Sequence, residues 1–165
     1  MAHVPEPTDL NASDQALETH RADQDATLTA IHQLETALGA PAPRREETWR
    51  DNVLVALETL DRAISHEQRN ADEPDSLLSD LARTQPRLRN RVRGLRVQYG
   101  QVGRTVAALH HELSVPDPDP DFEDIRRRIA WLLTALRHQR GRESDLIYEA
   151  YYDSFNTDID NDTAK

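Results

Sequence analysis

Apolar residues recur along this chain at helical spacing, in four long segments set apart by prolines and acidic loops. At about 100° per residue, positions three and four apart share one face, so each series predicts an amphipathic helix. The first series is Ala16, Leu17, Leu28, Ile31, Leu34 and Leu38, with Ser13 placed as N-cap and Gly39 as the stop. The second runs from about Glu46 to Ala71 through Trp49, Val53, Leu57, Leu60 and Ile64, and Asp72-Glu73-Pro74-Asp75 ends it. After Ser76 a short helical piece, LLSDLA, precedes Pro86, which suits the start or a kink of the third long helix. That helix carries Leu88, Val92, Leu95, Val102, Val106, Leu109 and Leu113 and stops at Ser114. The run Pro116-Asp117-Pro118-Asp119-Pro120 cannot be helical and is the sharpest boundary in the chain. The fourth helix starts near Asp121 and shows Phe122, Ile125, Ile129, Leu132, Leu136, Ile147 and Ala150.

Long amphipathic helices joined by short loops bury their stripes best against one another. The expected fold is therefore all-α, an antiparallel up-down-up-down four-helix bundle over residues 13–155. Residues 1–12, polar and with two prolines, read as a disordered arm, and 156–165 as a frayed tail. At 165 residues the chain suits one domain, and its five glycines and few β-branched alternating runs agree with helices over strands.

Composition narrows the function classes. No segment approaches the roughly 20 apolar residues of a membrane span, and the first residues lack the basic start and apolar core of a signal peptide. A cytoplasmic protein without membrane contact is expected. The formal charge of −10 disfavours nucleic acid as a partner. The chain has no cysteine, which removes disulfides and thiolate metal sites. Charge is unevenly spread: Arg83 to Arg104 holds seven arginines and no acid. Either those arginines meet acids of neighbouring helices, or Arg87, Arg91, Arg93 and Arg96 form a surface that docks an acidic protein partner.

The candidate chemistry lies in polar residues on apolar faces. His20 falls in the first stripe, Glu67 continues the Leu60–Ile64 series, Tyr99 sits between Leu95 and Val106, and Gln139 and Glu143 stay on the fourth stripe. By the same count His66 and His138 face outward, and they reach the interior only if the helix register shifts, for instance through a π-bulge. His3, His32 and His111 read as surface residues, with His110 near the buried face. Buried carboxylates demand a partner, a proton or a cation. Two arrangements answer that demand. One is a closed network in which Tyr99 and Gln139 donate to Glu67 and Glu143 beside His20. The other is a cation such as iron, manganese or zinc held by His20, Glu67 and Glu143 with the Tyr99 phenol nearby. No nucleophile elbow, phosphate-binding glycine loop, His-Glu-x-x-His or calcium loop occurs, so a binding protein is expected over an enzyme.

The segments LETH ending in His20, LDRAISHE of the second helix, PRLRNRVRGLRVQYGQV of the third and DLIYEAYYDSFNTDI near the end resemble small bacterial hemerythrin-like, or HHE cation-binding, proteins. The similarity spans about residues 13–160. It implies a four-helix bundle in which histidines and carboxylates of all four helices bind a non-haem di-iron centre, used for oxygen binding, sensing or iron and redox handling. Residue by residue, His20 matches the first-helix histidine. Glu67 takes the inward place on the second, with Ala71 where a carboxylate would follow. Tyr99 stands where the third helix would supply a histidine, with Gly103 one turn later. The fourth offers His138 with Glu143, or Gln139 with Glu143. A shifted register brings in His66 and Asn70. In either register the ligand set is incomplete, so reversible oxygen carriage is not expected, and the reading is a bundle that is metal-free or binds one cation weakly.

Overall fold

The computed structural model describes the backbone of residues 7–40 and 46–163, and side chains over 11–40 and 46–152. Its elements are α1 (Pro7–Gly39), α2 (Glu46–Asp72), α3 (Leu77–Thr84), a 3-10 turn at Pro86–Leu88, α4 (Arg89–Ser114) and α5 (Phe122–Thr163). The protein is all-helical, with four long helices, and no strand occurs among the described residues. None of these helices is long and apolar enough to cross a membrane.

Local signals set most boundaries. Ser76 caps α3, its hydroxyl accepting the Ser79 N–H at 3.1 Å, and the Asp121 carboxylate accepts the Asp124 N–H at 3.0 Å to open α5. Pro86 starts the 3-10 turn that leads into α4, where its missing N–H costs nothing. Two ends differ from expectation. Helix α1 begins at Pro7, so Ser13 is an exposed interior residue, and only 1–6 of the expected arm lie outside the described residues. A proline at the first helical position is as good a start as a serine cap, and six further residues add about 9 Å of helix. At the other end α5 continues through Thr163, and only residues 164–165 of the expected tail lie outside the described residues. The proline-bearing loop before α2 lies outside them from residue 41 to 45.

Helix α1 packs on α2, α2 on α4, and α4 on α5. Their stripes form two apolar clusters. One gathers Ile31, Leu34, Val53, Leu57, Leu60, Ile64, Val106, Leu109, Ile129 and Leu136 with their neighbours. The other joins Leu77, Leu78 and Leu81 of α3 to Leu88, Val92, Leu95, Leu146 and Ala150. Each fully buried leucine or isoleucine contributes about 1.5–3 kcal/mol by leaving water. Within the first cluster Trp49 meets Phe122 edge to face, ring centroids 5.7 Å apart, and Arg126 lies 4.7 Å over the Trp49 ring.

One stripe sits differently from its prediction. Leu28 is exposed, and the buried face of α1 runs instead through His20, Asp23, Thr27, Ala30, Ile31 and Leu34. Asp23 and Thr27 occupy the inward positions between His20 and Ile31, so counting only apolar residues rotated the inferred face toward Leu28. On α5 the fully buried residue near Ala150 is Leu146, and Ile147 is half-buried.

Candidate functional site: a buried polar layer between two apolar clusters

Where the two clusters meet, the core turns polar. Helix α1 supplies His20, Asp23 and Thr27, α2 supplies Glu67, α4 Tyr99, and α5 Gln139 and Glu143, all of them buried. Tyr99 stands at the centre. Its hydroxyl is 2.8 Å from Glu67 Oε1 and 2.7 Å from Glu143 Oε1. Thr27 donates its hydroxyl hydrogen to Glu67 Oε2 at 2.6 Å. His20 Nε2 lies 3.2 Å from Glu143 Oε1, within ion-pair distance but off the direction that would make a hydrogen bond. The Arg140 guanidinium, at the edge of the layer, donates to the Gln24 carbonyl.

A proton count constrains the chemistry. A phenol carries one hydrogen, yet the Tyr99 hydroxyl touches two carboxyl oxygens, so one contact is repulsive unless a carboxyl group holds a proton of its own. Glu143 is the holder. Burial pushes its pKa up to about 7, the nearby Glu67 charge pushes the same way, and hydrogen bonds from Tyr99 and Gln24 and the Arg140 charge oppose them. Protonated Glu143 then donates to the Tyr99 oxygen, and Tyr99 donates to Glu67. Burial first, then both carboxylates, raise the Tyr99 phenol far above its usual value, so it stays a neutral donor. Burial lowers the His20 pKa, against the pull of Glu67 and Asp23. A neutral imidazole with an acceptor nitrogen is the favoured form, and His20 Nε2 has no hydrogen-bond partner.

Beside this layer a cavity of about 280 Å³ opens between α1, the end of α2 and α3. His20 and Glu67 line it, and Asp23, Glu73 and Asp75 also face it, while among the described residues no arginine or lysine does. Asp23 is held by Asn70, which donates to its Oδ2 at 2.8 Å, and by His66, whose Nε2 is 3.4 Å from Oδ1.

The side chains His20, Glu67, Tyr99 and Glu143 thus converge, whereas His66 is exposed at the cavity side and His138 is exposed on α5. His32 and His111 are exposed and His110 is half-buried; His3 lies outside the described residues. Gln139 is buried in the layer, but its Oε1 has no partner. Sequence reasoning missed Asp23 and Thr27. The signal was present in the i, i+3, i+7 spacing from His20, but both were passed over as polar residues.

The set does not fit a di-iron centre. Tyr99 fills the space between the two glutamates and hydrogen-bonds both, and among the described residues only one imidazole is buried and no three His, Asp or Glu side chains are grouped to hold a metal ion.

Of the arginines expected either to pair internally or to dock a partner, Arg87 reaches Glu149 at 2.9 Å, Arg91 pairs with the same carboxylate, and Arg96 lies 3.5 Å from Asp72. Hydrogen bonds from Arg91 and Arg87 hold the Glu149 pKa below its ordinary value. Arg96 also donates to the Ala71 carbonyl and the Ser79 hydroxyl, tying α4 to α2 and α3. Arg93 is exposed. No protein-family model, curated protein or solved structure matches the chain.

Proposed function

We propose that this chain is a helical-bundle binding protein that takes up one small cation through the acidic cavity, in a hemerythrin-like antiparallel layout whose ligand set is incomplete. Support for the layout comes from residue pairs. Thr27 with Glu67 and Trp49 with the Leu38 carbonyl run α1 against α2. Arg96 with Asp72 and Tyr99 with Glu67 run α2 against α4, and Arg87 with Glu149, Tyr99 with Glu143 and Glu112 with Arg128 run α4 against α5.

The observation that carries the binding reading is the cavity itself: among the described residues it is lined by four carboxylate side chains and the His20 imidazole, and by no arginine or lysine. Carboxylates facing one solvent-filled space favour a positive ligand, and a neutral imidazole nitrogen accepts an N–H or binds a metal. A volume of about 280 Å³ and the lack of a three-residue metal trio among the described residues favour an organic ammonium over a bare metal ion. The ammonium donates to the cavity carboxylates, and its charge favours loss of the Glu143 proton. The alternative, a bundle docking an acidic partner through its third long helix, has less support because Arg87, Arg91 and Arg96 already meet Glu149 and Asp72.

Thermal melting of tag-free protein with putrescine, Mn²⁺, Zn²⁺ or Fe²⁺ tests the proposal. Putrescine at a hundredfold excess over its Kd should add about 2.7 kcal/mol of stability. His20→Ala should remove most of that gain. A shift from metal alone would move the reading to a metal site, and no shift from any cation would end it.

A further inference from the structure

The outward face of α5 carries an unbroken 4-3 repeat. Arg127, Trp131, Thr134 and His138 occupy its first half, Gly141, Asp145, Tyr148 and Tyr152 its second, and all eight are exposed. Positions spaced alternately four and three apart stay on one side of a helix, drifting about 20° per heptad, and this is the spacing by which two helices wrap around each other. The aromatic members stand at the two ends. Trp131, on the wall of a furrow of about 1030 Å³ between α4 and α5 that Arg104, Arg127, Arg128 and Asp124 also line, is 74% exposed. Tyr148 is 71% and Tyr152 55% exposed, and their rings stack with centroids 6.1 Å apart. Between these ends lies Gly141, where a Cβ would meet nothing within 4 Å. Glycine weakens a helix interior, and the packing of one copy gives no reason for it there.

Charge along α5 is split into two blocks. From residue 125 to 142 the helix holds six arginines and no acid, and from 143 to 163 seven acids and no arginine, lysine or histidine. Part of this charge is met within one copy: Arg127 by Asp124, Arg137 by Glu35, and Glu149 by Arg87 and Arg91. Two copies laid parallel along this face would set like charge on like, whereas antiparallel copies set each basic half on the other's acidic half. We propose that this face of α5 is a self-association surface, on which two copies of the chain pair antiparallel about a two-fold axis between His138 and Gly141. In that register Trp131 of one copy comes level with Tyr148 of the other, and Arg127 with its Tyr152, an aromatic pair and a cation–π pair each made twice by the symmetry. His138 comes level with Gly141, whose missing side chain lets the two backbones close at the axis. The aromatic ends supply the affinity, and the polar centre with the charge blocks fixes direction and register.

Sedimentation equilibrium of the tag-free chain over a wide concentration range reads the pairing. The mass should rise from 18.8 kDa toward twice that value and no further, because a two-fold pair is closed. Trp131→Ser and Tyr148→Ser should each raise the dissociation constant about tenfold, the loss of a central aromatic contact. Val55→Ser, which removes an exposed valine of α2, should leave it unchanged. Melting curves of dilute protein confirm that each variant is folded. The chain has no cysteine, so single introduced cysteines report direction. His138→Cys should link to its own copy through a short bismaleimide, whereas Ala130→Cys, about 28 Å of helix rise from its copy in an antiparallel pair, should not. A monomer at every concentration overturns the proposal, as does a dimer that Trp131→Ser and Tyr148→Ser leave intact. Efficient self-linking of Ala130→Cys would mean parallel helices and overturns the antiparallel register.

Discussion

Two openings flank one polar layer, and they carry opposite charge. The cavity between α1, α2 and α3 presents Asp23, Glu67, Glu73 and Asp75 and, among the described residues, no arginine, whereas the furrow between α4 and α5 sets three arginines against Asp124. A small void among Thr27, Glu67, Tyr99, Gln139 and Glu143 shares Glu67 with the cavity and Gln139 with the furrow. The net charge of −10 matches the sign of the cavity and not that of the furrow. Local sign is set by which helix faces line each gap, and the hydrogen-bonded layer keeps the two apart.

The largest expected effect comes from the proton on Glu143. Its folded pKa of about 7 lies above the ordinary 4.5, so the folded state binds this proton more tightly than the unfolded chain. Glu143 therefore contributes full stability below pH 4.5, loses it as pH rises toward 7, and contributes nothing further above that. The shift is worth about 3 kcal/mol. His20 has the opposite sign: its folded pKa is lowered, so its cost grows as pH falls below 6.5. Urea denaturation of the native chain and Glu143→Gln across pH 4.5 to 8 separates them, because the difference between the two profiles isolates Glu143. The variant should gain on the native chain as pH rises. Parallel profiles would place the proton elsewhere.

Removing the bridge between the carboxyl groups should cost somewhat less. Tyr99→Phe leaves Glu67 and Glu143 buried without their shared hydroxyl, and a loss of about 2–3 kcal/mol is expected in urea unfolding at neutral pH. A loss below about 0.5 kcal/mol would show that the two openings do not depend on this wall. Thr27→Val removes one short donor to Glu67 and should cost about 1–2 kcal/mol by the same measurement. The smallest effect belongs to the furrow: Trp131→Leu should change stability by less than about 0.5 kcal/mol, since the ring is mostly exposed. A larger loss would make Trp131 a packing residue and blur the contrast between a binding face and the core.

Helical periodicity made the long helices legible, together with the inward positions of His20, Glu67, Tyr99 and Glu143, because burial follows angle around a helix and angle follows residue number. Asp23 and Thr27 escaped because their polarity hid them in a search for apolar stripes, and Leu28 was drawn inward for the same reason. The cavity and the furrow could not be read from the chain at all. Each depends on how far apart two helices settle, which small residues such as Ala108 and Ala135 influence only once their opposing faces are known. The pairing of Arg87 and Arg91 with Glu149 likewise needed the packing of α4 on α5.

The most direct test of a cation entering the acidic cavity is the proton that it displaces. Calorimetric titration with putrescine at pH 6, in two buffers of different ionisation enthalpy, counts protons released per ligand bound. With Glu143 protonated at that pH, about one proton should leave for each cation that binds, fewer should leave at pH 8, and Glu143→Gln should release none. Binding without proton release at pH 6 would contradict the account, since it would place the cation at the mouth of the cavity, out of reach of the layer that His20, Tyr99 and the two glutamates build.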